Sequence, residues 1–177
     1  MLSPRKDAYG GLIYAHYRGL PSVEIIERDD GWLGVSTGAP SYFAPFEKWP
    51  SHQRQAMKHV RGTVLDVGCG AGRVALYLQA RGHDVVAIDL SPLAAKTCRL
   101  RGVRDARVCP ITRVDRRLGE FDTIVMLGNN FGLFGNPRRA DGFSDDFIGS
   151  RHRPHGLSLN PGIPMRRGTP IIGGTSN

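Results

Sequence analysis

The sequence predicts an α/β fold: a parallel sheet with flanking helices, incomplete, behind a helix and hairpin extension and ahead of a disordered C-terminal tail. Three observations carry this expectation. Short apolar runs at 63–67, 84–88 and 121–127 alternate with helical patterns. Such alternation marks strand–helix–strand units with right-handed crossovers. Gly68, Gly70 and Gly72 stand between the first run and its helix, where a tight turn needs backbone freedom. The last 37 residues, 141–177, hold 7 Gly and 4 Pro. That density belongs to low-complexity or disordered chain.

The elements follow in order. Residues 5–18 read as a helix with Tyr9, Leu12, Ile13, His16 and Tyr17 on one face. Two β-prone runs, 23–28 and 32–36, flank Asp29-Asp30-Gly31 and predict a hairpin. Residues 37–50 form a loop rich in Gly, Pro and aromatics. Ser51 is placed to cap a helix running to about Arg61, closed by Gly62. The run 63–67 is a buried strand. After the glycine turn comes an apolar helix with Val74, Ala75, Leu76 and Leu78, ending at Gly82. Residues 84–88 form a second strand that ends in Asp89. Ser91-Pro92 is an N-cap followed by proline at the first helical position, and that helix stops at Gly102. Residues 106–109 are a weak third strand. Residues 121–127 are a strong fourth, leading into Gly128-Asn129-Asn130. From Ser150 onward only short apolar pairs such as Ile171-Ile172 remain.

Composition narrows the classes. With 40% hydrophobic residues the 177-residue chain can build a core. It holds no apolar stretch of membrane-spanning length and no apolar leader near Met1, so no membrane partner is expected and the expected location is cytoplasmic. Three cysteines fit neither a disulfide framework nor a metal site. The net charge is +8, and Arg outnumbers Lys 20 to 4. The densest basic stretch, Arg99 to Arg117, is interrupted by Asp105 and Asp115 and has no interleaved aromatics for stacking single strands. It reads as a solvated surface rather than a nucleic-acid site.

The glycine turn points to a ligand. Glycines let a ligand approach backbone amides at a helix N-terminus, and open parallel sheets bind at the carboxyl ends of their strands. Asp89 ends the next strand, 21 residues after Gly68, where an acid accepts hydrogen bonds from ribose hydroxyls. An adenosine-type cofactor follows. Gly70-Ala71-Gly72-Arg73-Val74-Ala75 matches the loose dinucleotide pattern, which keeps an NAD-dependent oxidoreductase open as an alternative. Asp66 argues against it. A carboxylate at this strand end repels a pyrophosphate and attracts the ammonium and sulfonium of S-adenosylmethionine. One such charge pair is worth a few kcal/mol before desolvation.

The string Val64-Leu65-Asp66-Val67-Gly68-Cys69-Gly70-Ala71-Gly72, followed by Asp89, resembles class I S-adenosylmethionine-dependent methyltransferases, whose sheet is Rossmann-like. The resemblance covers about residues 63–135. It implies S-adenosylmethionine as cofactor, bound by Asp66, Gly68, Cys69, Gly70, Gly72, Asp89 and Leu90. It also implies that Leu127, Gly128 and Asn129 contact the cofactor, that Gly128, Asn129 and Asn130 lie beside the methyl group and substrate, and that Asp122 is structural. No single catalytic base is demanded. Tyr42, Trp49 and His52, with Asn129 and Asn130, are the candidates near the site. Two departures stand out. No acid follows the third strand, where the sequence is Cys109-Pro110-Ile111-Thr112. The strands the family places after the fourth are also missing, so residues 121–127 are expected at an open edge that a partner would cover. The expected organisation is a lid-like extension at 1–62, a partial cofactor domain at 63–140 and a tail at 141–177. The expected activity is methyl transfer to a small molecule. The alternative is a truncated, inactive or partner-dependent remnant.

Overall fold

A computed structural model of the chain describes residues 6–36, 38–114, 116–127 and 171–174. Helix α1, Ala8–Tyr17, begins where the Asp7 carboxylate accepts the Gly10 N–H at 3.1 Å. That cap makes the helix shorter than the 5–18 expected. Strands β1, Glu24–Glu27, and β2, Leu33–Ser36, pair antiparallel with Ile25 opposite Val35. Gly31 takes φ +82° in their turn, as the Asp-Gly signal predicted. Helix α2, Ser51–Ala56, gives way to a 3-10 turn at Met57–His59 instead of running to Arg61. Pro50, not Ser51, holds the cap position, and no side chain caps this short helix.

The main sheet contains β3, Val64–Val67; β4, Val85–Asp89; β5, Asp105–Val108; and β6, Thr123–Leu127. Their order is β5-β4-β3-β6 and all pairings are parallel. The chain builds outward from β3 to β5, then returns to β3's other side for β6. That reversal opens a crevice beyond the carboxyl end of β3. Ile171–Gly174 adds a further parallel strand, β7, with Ile171 opposite Ile124 and Gly174 opposite Leu127. Sequence pattern alone predicts coil here and an open edge at β6, and the β6–β7 pairing corrects both expectations. A four-residue segment shows no period of its own, and its identity as a strand comes from pairing with β6.

Helices α3, Arg73–Gln79, and α4, Pro92–Leu100, complete the crossovers. The predicted Ser91 cap is present: its Oγ accepts the Ala94 N–H at 2.9 Å. Strand residues alternate between two cores. Val64, Val85, Ala87, Ala106 and Val125 pack with Val74, Ala75, Leu78 and Cys98. Leu65, Val67, Ile88, Ile124 and Met126 pack with Ile111, Val114 and Phe121. Burial on both faces gives β3 and β6 continuous apolar runs broken only by Asp66 and Thr123. At the opposite end of the sheet, Asp122 accepts the Thr63 N–H at 2.8 Å and ties the starts of β3 and β6, a structural role.

Three side chains of the arginine-rich stretch bond to groups of their own chain. Arg99 donates to the Ala106 carbonyl at 2.7 Å, and Arg101 donates to the Ala71 carbonyl. Arg107 makes two bonds to Asp105, at 2.7 and 2.6 Å. No helix among the described residues is long and apolar enough to cross a membrane.

Candidate functional site

Past β3 the chain turns through Gly68, Gly70 and Gly72, with φ of +70°, +55° and +78°. Glycine is required at the last of these for a second reason. A Cβ there would stand 2.8 Å from Val103 and 3.0 Å from Cys98. Most of the turn's amides are already satisfied. Gly68 and Cys69 both donate to the Ile88 carbonyl, at 2.9 and 3.1 Å, and Gly72 donates to the Cys69 carbonyl at 2.8 Å. Gly70 donates to Asp89 Oδ2 at 2.9 Å. A loop so occupied is a poor cradle for phosphate oxygens, which need free amides.

Two acids stand at the strand ends. Asp89 holds the turn through Gly70 and, through Oδ1, accepts the Ser91 N–H at 2.9 Å. Burial raises its ionisation above the usual carboxylate range, and the Ser91 and Gly70 amides oppose that rise. Asp66 is 3% exposed, and its Oδ2 has no hydrogen-bond partner. Burial, then the neighbouring Asp89 charge, pushes its ionisation up to about 7, against the pull of Arg73 and the Ala75 N–H. A buried carboxylate oxygen with no donor is costly unless something supplies one.

Both acids face a cavity of about 840 Å³, within the usual range of small-molecule sites. Its walls come from the ends of β3, β4 and β5 and from the N-terminal extension, including Asp7, Tyr9, Tyr42 and Gln53. The extension is anchored there. Asp7 Oδ2 accepts the Ser91 hydroxyl at 2.9 Å and the Leu93 N–H at 3.0 Å. One carboxylate therefore caps α1 and also binds the first turn of α4. Tyr9 and Tyr42 meet edge to face with centroids 5.3 Å apart, and burial raises the Tyr9 hydroxyl's ionisation far above its ordinary value.

The structure brings Asp66, Gly68, Cys69, Asp89, Leu90 and Leu127 together on the cavity wall. Gly70 and Gly72 shape the turn but do not line the cavity. The expected Gly128 and Asn129, with Asn130, lie outside the described residues. Of the aromatic candidates, Tyr42 reaches the cavity. Trp49 is 2% exposed in the core, its Nε1–H donating to the Ala44 carbonyl at 2.8 Å. His52 is exposed and away from the wall. Cys69 Sγ lies 3.5 Å from Cys98 Sγ, both buried. The 109–112 stretch lines the cavity, as its place after the third strand predicted. Among the described residues no cluster of His, Cys, Asp or Glu is arranged to hold a metal ion.

Sequence reasoning missed Asp7, Gln53 and Arg73. Asp7 had a signal, an Asp directly before a helical pattern, but its second bond to a residue 84 positions away had none. Gln53 and Arg73 meet only in the fold, Gln53 Oε1 accepting from Arg73 Nη2 at 2.7 Å.

The sequence and the fold, taken apart from the site, resemble those of known proteins. Residues 64–145 match the family described as a methyltransferase domain. The fold resembles a SAM-dependent methyltransferase from Bacteroides fragilis, solved in complex with S-adenosyl-L-homocysteine. The TM-score is 0.61 at 35% identity, covering 76% of this chain and 59% of that one. A 2-heptyl-1-hydroxyquinolin-4(1H)-one methyltransferase from Mycobacteroides abscessus is 38% identical over 72 residues, 37% of this chain and 32% of that protein. A magnesium-protoporphyrin O-methyltransferase from Rhodobacter capsulatus is 37% identical over 70 residues, 36% of this chain and 30% of that protein. The matched stretch thus spans less than a third of each curated relative. Over this stretch the chain is similar to S-adenosylmethionine-dependent methyltransferases in sequence and in fold.

Proposed function

We propose that this chain binds S-adenosylmethionine in the cavity beyond β3 and takes part in methyl transfer to a small-molecule acceptor. One observation carries the reading: the buried, unpartnered Oδ2 of Asp66 on the cavity wall. An ammonium donor satisfies that oxygen, and an anionic pyrophosphate does not. The Gly70 amide, already given to Asp89, supports the same choice against a dinucleotide.

The residues present fit the cofactor. Asp66 and the glycine turn would hold its amino-acid end. Asp89 keeps acceptor capacity on its carboxylate for ribose hydroxyls, since each oxygen accepts more than one bond. Leu90, Pro110 and Ile111 offer apolar wall for the adenine, with backbone groups in place of the missing acid. When bound, the cofactor supplies a methyl group on a cationic sulfur. The chain's own contribution is alignment and exclusion of water. Tyr9 and Tyr42, carried by the docked extension, cover the cavity beside the turn, and Tyr9 holds its proton throughout the neutral range. The names of the two curated relatives, a hydroxyquinolinone and a magnesium-protoporphyrin methyltransferase, support a small-molecule acceptor.

Titration calorimetry tests the cofactor. S-adenosylmethionine and S-adenosylhomocysteine should bind, and NADH should not. Binding of NADH alone overturns the reading of Asp66. For the acceptor, radiolabelled methyl should pass to small hydroxylated ring compounds and not to RNA or protein substrates.

A further inference from the structure

Arg73 is the first residue of α3 and lines the cavity with its side chain half-buried. Its guanidinium is fixed on two sides. Nη2 donates to Gln53 Oε1 at 2.7 Å, and the Trp49 ring lies 4.8 Å from Cζ. Gln53 is itself 3% exposed, and Trp49 is anchored through Ala44. Yet no ion pair joins Arg73 to a carboxylate among the described residues. The exposed Arg28 and Arg107 have such partners in Asp30 and Asp105. A guanidinium has five N–H donors, and removing it from water without an anion is costly. Asp66, on the same cavity wall, has one oxygen, Oδ2, without a donor. The two feel each other's charge without forming a bridge.

An anion and a cation, each held apart and each short of a partner, suit a ligand carrying both signs on neighbouring atoms. That is an α-amino acid zwitterion. We propose that Arg73, held by Gln53 and stacked on Trp49, seats the carboxylate of the bound amino-acid moiety while Asp66 takes its ammonium. This rests on the cofactor reading above and extends it to a residue that the glycine motif does not include. The planar fork of arginine matches a carboxylate with two parallel bonds, which a lysine at this position could not supply.

The test compares two ligands by calorimetry on the full chain: S-adenosylhomocysteine, and 5′-methylthioadenosine, which lacks the amino-acid group. Arg73→Met should weaken S-adenosylhomocysteine about 10- to 100-fold, the loss of one charge-assisted pair. It should leave 5′-methylthioadenosine within about twofold. Arg73→Lys should recover part of the loss. Gln53→Leu, which releases the guanidinium without removing it, should weaken only S-adenosylhomocysteine, and it decides the matter if Arg73→Met does not fold. Equal weakening of both ligands would make Arg73 a structural residue and sink the proposal. So would an unchanged affinity for S-adenosylhomocysteine. If the parent chain binds neither ligand, the cofactor reading fails and takes this one with it. If the parent binds both alike, the amino-acid seat alone is wrong.

Discussion

Asp66 and Gly72 show how much the site depends on single residues. The Asp66 carboxyl, ordinarily ionising at 3.8, does so at about 7 in the fold because burial disfavours its charge. The folded chain therefore holds this proton more tightly than the unfolded chain. Its stabilising contribution is full below about pH 4 and is lost as pH rises toward 7, a change of a few kcal/mol at most. Asp66→Asn should remove that loss. Above pH 7 the ligand-free variant should melt higher than the parent, while its affinity for S-adenosylmethionine falls at least about 10-fold. Melting curves between pH 4 and 8 check the first part. A parent and variant that differ equally at every pH would show that the carboxyl is not shifted. Gly72→Ala forces a left-handed backbone and a contact at 2.8 Å with Val103. A loss of about 2 kcal/mol in urea unfolding is expected.

At the level of elements, the site is an assembly of helix ends. Asp7 caps α1 and holds α4 through Ser91, so the two helices share one polar junction. Asp7→Ala should cost about 1–2 kcal/mol. A double-mutant cycle with Ser91→Ala should give a coupling above about 0.5 kcal/mol, since each group serves the other. Additive losses would mean the junction is incidental. The strand–turn–helix order and the acids at 66 and 89 were legible in the sequence, because local periodicity and motif spacing encode them. The Asp7–Ser91 bond, the Gln53–Arg73 bond and the β6–β7 pairing were not. Each joins residues far apart in the chain, and no window of sequence contains both partners. The break of α2 after Ala56 was missed for the opposite reason: six residues are too few to propagate a helix without packing, and packing is not written locally.

The whole molecule divides into a buried sheet and an exposed hairpin. Ile25 and Val35 face each other across β1 and β2 at 71% and 73% exposure, so the hairpin adds little to the core. Replacing both with threonine should move the unfolding free energy by no more than about 0.5 kcal/mol. A larger loss in urea titration would show that the hairpin packs against something in solution. The net charge of +8 rests on 20 Arg and 4 Lys against 16 acids. Arg99, Arg101 and Arg107 bind carbonyls or Asp105 of their own chain, so the arginine count overstated the surface offered to a polyanion.

The shared junction also bears on the order of folding. α1 has ten residues with Gly10 and Gly11 inside it, too short and too glycine-rich to persist alone in water. Its attachment at Ser91 and Leu93 exists only once β4 and the start of α4 are in place, a closure of more than 80 residues. During synthesis this helix leaves the ribosome early and must wait for the sheet that receives it. A helix made before the sheet is thus secured only after it, and the part of the cavity wall that Asp7 and Tyr9 supply comes later than the part supplied by β3 and β4.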